Sequence, residues 1–423
     1  MGICLLCAAF RVDAQQISLS VNDVFRIADS TNLSIEAAKT AVEAAQAALE
    51  AAKNQKLPDL SVSASVSYNG DGYVWNRDFR NGMRVEIPSF GNNFSLQASQ
   101  VLYAGGALIR AEKLASLGVS MAEVDLAENR QDLYFTLCGY LLDLAKTDKS
   151  VFVYRKNIEL AHKIMDNLKT RLESGNALTN DITRYQLHIE RLELQKKRLE
   201  NTRSILNRNL ASTLRLAEGA EILPLIHFPT EAPSLEFSAA PAVKKTDLAV
   251  SMSQAEEKLI RAEMLPQIAL VGSANLDGPV LIEVPALNQN FHYWYVGLGI
   301  KYNIASLYKS KGRLRSSKAK TQSAVSQQTN VRDRVGQAVF AANVKYNEAA
   351  EEIKIAENNL LLAQENYATI SSRYESGMAL LTDMLDASNI VLSSEIELHN
   401  AQITQLYRYY ELQYITGKLS KEE

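Results

Sequence analysis

A turn that occurs twice in this chain carries the acidic side chains with the clearest potential for chemistry. Residues 171–182 read RLESGNALTNDI, and residues 373–386 read RYESGMALLTDMLD. In the second copy Asp383 and Asp386 are three residues apart, which places them on one face of a helix. Carboxylates crowded onto one face attract cations. A simpler interpretation is that each aspartate near such a turn caps a helix or is solvated.

The remaining polar residues form no recognisable catalytic or metal-binding pattern. The five histidines are His162, His188, His227, His292 and His399, and they lack the spacing of metal ligands. The sequence has no phosphate-binding loop, dinucleotide fingerprint or serine-nucleophile motif, and we interpret Gly105-Gly106 as a turn. We therefore expect a protein that is not an enzyme, with no catalytic residue, cofactor or metal.

The helices that must position the two turns have a coiled-coil pattern. Gly175 and Gly377 are separated by 202 residues, as are Asp181 and Asp383. From Val151 to Leu172 apolar residues recur at alternating intervals of three and four, and the positions 202 residues later are also apolar or aromatic. A 3.5-residue repeat on both arms of a helical hairpin predicts antiparallel coiled coils. Two such hairpins indicate an internal duplication.

The composition agrees with long helices and limits the partners. The chain has 423 residues, only nine prolines, 22% charged residues and a formal net charge of -3. This balance gives no reason to expect nucleic acid. An apolar run from Ile3 to Phe10, followed by Val12-Asp13-Ala14, predicts a secretory signal peptide over residues 1–14, although the positively charged start is missing. The alternative is a disordered tail. No apolar run is long enough to predict a transmembrane helix.

Each half of the chain has the same order of elements. We predict a first repeat over residues 15–217, with a helix from Leu19 to Lys56, a strand hairpin over 58–103 and a helical hairpin whose tip is near residue 175. An irregular linker follows over 218–245. The second repeat spans 246–418, with a strand hairpin over 266–303 and a tip near residue 377, and residues 419–423 form a C-terminal tail.

Four segments of about ten residues alternate apolar with small polar side chains, as Val62, Ala64 and Val66 do with the serines between them. This alternation predicts strands with one apolar face, and their length suits tilted strands that cross a bilayer. Four strands cannot close a barrel, and lipid does not tolerate open sheet edges. Either several copies pool their strands, three copies giving twelve, or the hairpins are soluble and pack on helices.

Aromatic residues lie near the predicted strand ends, where aromatic belts form at membrane–water interfaces. They are Tyr68, Tyr73, Trp75, Tyr103, Trp294 and Tyr302. With the apolar face outward and the Ser, Gln, Asn and Gly face inward, the strands would suit the wall of a water-filled channel.

In this order of elements the chain resembles the TolC family of outer-membrane channel proteins. The resemblance covers about residues 17–418 and rests on the duplicated order, the turn Tyr103-Ala104-Gly105-Gly106 and the tip motif from Tyr374 to Ala387. It implies a mainly α fold with membrane β: a long antiparallel α-helical coiled-coil barrel, plus four β-strands per protomer in a trimeric twelve-stranded transmembrane β-barrel. It also implies a homotrimer in the outer membrane of a Gram-negative bacterium, extending into the periplasm.

The function implied by the resemblance is that of an exit duct for efflux or type I secretion. Such a duct is surrounded by outer-membrane lipid. An inner-membrane transporter drives export through it by way of a periplasmic adaptor, or membrane fusion, protein. The resemblance places the adaptor at the helical tips, which are expected to dock through Gly175, Asn176, Gly377 and Met378.

The resemblance further places an iris-like gate at the same tips. The residues expected at the gate and its constriction are Asp181, Tyr374, Asp383 and Asp386. The arginine that the family usually has two residues after the tip glycine is Ala379 here. This difference implies a looser gate, or a different lock involving Arg171, Arg373 or Arg184.

Two other classes of protein remain open from the residues alone. A periplasmic or cytosolic coiled-coil scaffold, acting as an adaptor-like interaction protein, would need no detergent. A helical enzyme is disfavoured because no site is recognisable. The sequence does not name the cargo, the pump or the adaptor, and the lack of His- or Met-rich clusters gives no support to heavy-metal export.

Overall fold

The structure, a computed structural model, describes residues 16–175, 177–229, 231–280 and 287–420. The predicted signal peptide and the predicted docking residue Asn176 lie outside these residues. The chain divides into two compact units. The first contains the described parts of 1–40, 124–245 and 329–423, and the second contains residues 41–123 and the described parts of 246–328.

Helices dominate the described residues. They are α1 (Val21–Thr31), α2 (Leu33–Asn54), α3 (Ala107–Glu173), α4 (Thr179–Thr213), α5 (Pro241–Ala262), α6 (Ser306–Glu375) and α7 (Leu381–Thr416). The two longest helices, α3 with 67 residues and α6 with 70, begin directly after strand segments, as the sequence predicts. Helix α5 begins at Pro241, inside the segment 218–245 that was predicted to be an irregular linker, because proline suits the first position of a helix. Among the described residues, no helix has both the length and the apolarity to cross a membrane.

The strands among the described residues are shorter and fall into three sheets. They are β1 (Gln16–Ser20), β2 (Asp59–Tyr68), β3 (Gly72–Val74), β4 (Met83–Val85), β5 (Phe90–Ala104), β6 (Glu221–Leu225), β7 (Gln267–Gly278) and β8 (Phe291–Lys301). Strand β1 pairs in parallel with β6, and β3 with β4 forms a small hairpin. The four long strands form one antiparallel sheet in the order β2-β5-β7-β8.

The single helix predicted from Leu19 to Lys56 is wrong. Leu19 belongs to β1, and the helical segment is broken at Asn32, whose φ of -79° and ψ of 125° are extended. The break is stabilised by the Asn32 side chain, whose oxygen accepts a hydrogen bond from the Ser34 N–H at 2.9 Å. Short polar side chains compete in this way with helical hydrogen bonds. Ser20 caps α1 in a reciprocal arrangement with Asp23.

The core of the first unit lies where α1 meets α3. The ring of Phe25 stacks on that of Tyr134, with centroids 4.0 Å apart and planes inclined by 8°. Leu137 and Leu141 from the same stretch of α3 and Leu210 from α4 complete this buried cluster. Burial of large apolar side chains of this kind is the main stabilising contribution to a fold.

The four-stranded sheet separates apolar from polar side chains by face. The register aligns Val62, Leu96, Ala274 and Trp294 across the four strands, and the next row aligns Ser63, Ser95, Asn275 and Tyr293. Val62 on the apolar face is 79% exposed, whereas Ser95 on the polar face is 8% exposed. The hydroxyls of Ser63 and Ser95 are 2.8 Å apart and hydrogen-bonded. The sheet therefore leaves its apolar face open to the surroundings.

Candidate functional site

The two repeated turns have equivalent glycines at the ends of their first helices. Helices α3 and α6 each end two residues before a glycine with a left-handed backbone, Gly175 at φ +75° and Gly377 at φ +74°. The Gly377 N–H donates to the Tyr374 carbonyl at 3.0 Å, and the Met378 N–H donates to the Arg373 carbonyl at 2.7 Å. This pair of bonds is a Schellman motif. The Gly175 N–H makes the equivalent bond to the Leu172 carbonyl at 3.0 Å.

The helices that follow the turns also begin alike. Leu178 and Leu380 are the extended N-cap residues of α4 and α7, and a leucine side chain cannot accept a capping hydrogen bond. Asp181 accepts a bond from the Leu178 N–H at 3.2 Å, and Asp383 accepts one from the Leu380 N–H at 3.1 Å. Carboxylates in the first turn also interact favourably with the helix dipole. Both aspartates therefore have the capping role that was the simpler interpretation of the sequence.

Packing within the first unit brings the two turns together. Leu168 of α3 and Tyr185 and Ile189 of α4 share one buried cluster with Leu381 and Met384 of α7. Tyr374 of α6 packs against the same cluster and is half-buried. We call this cluster with its two turns the tip region.

One contact joins the last turns of α3 and α6. The guanidinium carbon of Arg171 lies 5.0 Å from the centre of the Tyr374 ring, within the range of a cation–π interaction. Burial raises the pKa of the Tyr374 hydroxyl; Arg171 opposes the rise and Asp181 adds to it. Two predicted gate residues, Asp181 and Tyr374, therefore lie close enough to interact electrostatically. Of the three arginines considered as a replacement lock, Arg171 contacts Tyr374, whereas Arg184 and Arg373 form no ion pair among the described residues.

The other predicted tip residues are exposed. Asp386 projects from α7 and forms no ion pair with any residue that the structure describes, while Met378 is exposed at the turn. Leu178 and Leu380 are also exposed, and the sequence reasoning missed them as surface residues. The Ala-Leu that both turns share was the available signal. The tip region thus combines exposed apolar and acidic side chains at its surface.

The predicted interface aromatics are placed around the four-stranded sheet. Tyr68 ends β2 and meets Phe90 of β5 edge-to-face, with centroids 5.8 Å apart. Tyr73 and Trp75 stack in the small hairpin between β2 and β5. Tyr103 is the penultimate residue of β5, and Tyr302 follows β8 directly. Trp294 instead lies inside β8, paired with Ala274.

The described residues contain no group of three or more His, Cys, Asp or Glu side chains arranged to hold a metal ion. The one cysteine among them, Cys138, is buried in the α1–α3 core, and burial raises the pKa of its thiol. A buried thiol of this kind is unreactive.

Sequence comparison connects the chain to export proteins. Residues 232–418 match the model of the family described as "Outer membrane efflux protein". A curated relative, the outer membrane efflux protein BepC of Brucella suis biovar 1 (strain 1330), is 20% identical over 406 residues. That match covers 94% of this chain and 85% of the relative.

Solved structures share the fold over nearly the whole chain. The outer membrane protein VceC from Vibrio cholerae superposes with a TM-score of 0.80 at 16% identity, covering 94% of this chain and 96% of VceC. The Campylobacter jejuni outer membrane channel CmeC gives a TM-score of 0.77 at 16% identity, covering 95% and 87%. The open state of the Neisseria gonorrhoeae outer membrane channel MtrE gives 0.76 at 16% identity, covering 95% and 90%.

Proposed function

We propose that this chain is a TolC-like member of the outer membrane efflux protein family and that it forms a passive exit duct in the outer membrane of a Gram-negative bacterium. The duct would receive its cargo from an inner-membrane transporter through a periplasmic adaptor protein. It would release the cargo outside the cell. The protein supplies the path, and the partner pump supplies the energy.

The arrangement of the four-stranded sheet is the observation that supports a duct. Its apolar side chains are exposed, with Leu298 at 70%, while the opposite face presents Ser63, Ser95 and Ser273. An exposed apolar face of this extent is unfavourable in water but suits contact with lipid tails. The hydroxyl face suits a water-filled interior.

The open edges of the sheet favour a homotrimer. Strands β2 and β8 are the two edges of the order β2-β5-β7-β8, and in lipid their free backbone groups must be paired. Because every neighbour is antiparallel, β8 of one copy meets β2 of the next in antiparallel orientation. Two copies would give eight strands, whose interior side chains fill the barrel. Three copies give twelve strands and leave a lumen.

The tip region is the part of the chain that we assign to gating and to the adaptor. The contact between Arg171 and Tyr374 joins α3 to α6. We assign to it the locking role of the arginine that is usual in the family and is Ala379 in this chain. Opening the tip would require this contact to break. Gly175, Gly377, Met378 and the exposed Leu178 and Leu380 offer a surface for an apolar partner helix.

Cysteine pairs on the two sheet edges test the trimer. We expect Val62→Cys combined in turn with Val296→Cys, Leu298→Cys or Ile300→Cys to give, on oxidation, covalent dimers and trimers for at least one pair. Within one chain β2 and β8 are three strand spacings apart, about 14 Å, which is too far for a disulfide. Val62→Cys alone is the matched control.

The same preparations test conduction. Purified trimers inserted into a planar bilayer should give discrete conductance steps. A protein that is soluble without detergent, remains monomeric and shows no product with any cysteine pair would instead be a coiled-coil scaffold, and the proposal would then be wrong.

A further inference from the structure

A basic segment opens α6, and the duct function gives it no role. Between Ser306 and Val331 the chain carries six basic and no acidic side chains. The basic residues are Lys309, Lys311, Arg313, Arg315, Lys318 and Lys320. The stretch of equal length that opens α3 after β5, from Ala107 to Asp132, carries three basic and five acidic side chains. The positive charge is therefore particular to α6.

Four residues of this segment form one exposed stripe. Tyr308, Lys311, Arg315 and Lys318 follow the spacing i, i+3, i+7 and i+10, which places them on one face of the helix. All four are exposed, Tyr308 by 63%. We call these four residues the basic stripe.

The cations of the basic stripe have no ion-pair partner in the part of the chain that the structure describes. Arg313, on another face of α6, pairs with Glu263 at 2.8 Å, and Lys56 pairs with Glu112. By contrast, Lys311, Arg315 and Lys318 form no ion pair with any residue that the structure describes. Glu263 is thus already paired with Arg313, and the basic stripe presents three positive charges that have no ion-pair partner among the described residues.

The basic stripe continues an exposed apolar surface. Leu298 and Ile300 of β8 and then Ile304 are exposed, and Tyr308 follows them. At 1.5 Å rise per residue, Lys311 and Arg315 lie roughly 5 and 10 Å beyond Tyr308 along the helix. The headgroup layer on one side of a bilayer is about 5–8 Å thick, and Lys and Arg stems can extend toward it. The order apolar strand, aromatic residue, cations matches the order lipid tail, interface, phosphate.

We propose that the basic stripe binds the phosphates of anionic phospholipids in the membrane leaflet that borders the start of α6. The inference rests on the proposed function, because it requires the four-stranded sheet to lie in the membrane. Arg315 can bind a phosphate with two parallel hydrogen bonds, and Lys311 and Lys318 add point charges. Clusters of such cations attract anionic lipid surfaces.

The test compares lipid retained by the full chain. The protein is reconstituted in vesicles of equimolar phosphatidylcholine and phosphatidylglycerol, extracted in mild detergent, and analysed for bound lipid. We expect the wild type to retain phosphatidylglycerol in excess over phosphatidylcholine. The variant Lys311→Gln/Arg315→Gln/Lys318→Gln should lose that excess, with about fivefold weaker preference for each charge removed. Arg155→Gln/Lys156→Gln/Lys163→Gln, which removes three exposed cations from α3, is the matched control and should keep it.

Conductance in the same vesicles separates the two proposals. Normal conductance with loss of the lipid preference only in the stripe variant supports the inference. An unchanged lipid preference overturns it, as does a change in ion selectivity without any lipid effect, which would place the stripe on the conduction path. Failure of the wild type to conduct at all would overturn the proposed duct, and the lipid inference with it.

Discussion

Arg171 and Tyr374 hold the last turns of α3 and α6 together, with the guanidinium carbon 5.0 Å from the ring centre. The tyrosine is half-buried in the tip region, while the arginine comes from the other hairpin. Asp181 lies near enough to influence the pKa of the same tyrosine. The contact is therefore local, electrostatic and available once in each copy of the chain.

Removing the Tyr374 ring should favour the open tip. A cation–π contact at a partly exposed site contributes about 0.5–1 kcal/mol, so three copies would contribute about 1.5–3 kcal/mol to closure. We expect Tyr374→Ala and Arg171→Ala each to raise the ratio of open to closed time by roughly tenfold or more, measured on single channels. Tyr374→Phe keeps the ring and should remain close to wild type. Equal gating in all three variants would show that the contact is not a lock.

Neutralising the exposed acids of α7 should weaken block by cations. Asp386 is exposed and unpaired among the described residues, whereas one oxygen of Asp383 is engaged by the Leu380 N–H. We expect Asp386→Asn to reduce the block of single-channel current by added multivalent cations, and the double change with Asp383→Asn to reduce it further. Asp386→Asn leaves the cap made by Asp383 intact, so any effect of this single variant cannot come from loss of the cap. An unchanged block in the double variant would show that these two carboxylates do not attract cations at a constriction.

Gly377 and Gly417 have nearly the same φ but should differ in how well they tolerate a side chain. At Gly377, φ is +74° and a Cβ would meet no atom within 4 Å, so Gly377→Ala should cost only about 1–2 kcal/mol of backbone strain. At Gly417, φ is +72° but the Cβ would lie 2.7 Å from Ala240 Cα, so Gly417→Ala should cost about 1–3 kcal/mol more. Denaturant unfolding of both variants in detergent measures the difference. Equal losses would mean that the C-terminal end of α7 packs more loosely than described.

Protonation of His188 should lower the stability of the tip region in mild acid. Burial, with a smaller contribution from Arg191, lowers the pKa of His188 below its usual 6.5. The folded chain therefore binds this proton less readily than the unfolded chain, and the contribution to stability is lost as the pH falls below about 6.5. We expect His188→Gln to make the thermal midpoint less dependent on pH below that value. His162→Gln, at an exposed position of α3, is the control. An identical pH dependence in the wild type and His188→Gln would contradict this assignment.

The tips could be predicted because their structure is encoded in a few contiguous residues. Gly377 supplies the left-handed turn, and Asp383 accepts the hydrogen bond from the N–H at the start of α7. The repeated residues of the two turns therefore correspond to repeated hydrogen bonds. The alternation of Val62 with serines likewise predicted the two faces of the sheet correctly. Both features depend on local backbone geometry or on strict periodicity.

The features that were missed depend on partners distant in sequence. Strand β1 has only five residues, and it forms because it pairs with the distant strand β6, in which Glu221 lies opposite Gln16. The bend at Asn32 is supported locally by the Asn32 side chain, but it also depends on a distant partner, because the Thr31 hydroxyl donates to the Leu214 carbonyl at 3.0 Å. The selection of Arg171 over Arg184 or Arg373 as the partner of Tyr374 follows from how α3 packs near α6, which sequence spacing does not determine. The position of Trp294 inside β8 depends similarly on where the strand begins.

The pairing of β5 with β7 has a consequence for biogenesis. These central strands come from opposite halves of the chain, so a nascent polypeptide that ends before β7 holds only the ribbon of β2 and β5. Such a two-stranded ribbon exposes an apolar face and unpaired backbone groups at its edges, so it is prone to aggregate. The four-stranded sheet is therefore completed only after β8 has been synthesised, and in the proposed outer-membrane channel we expect chaperones to protect the incomplete sheet until then.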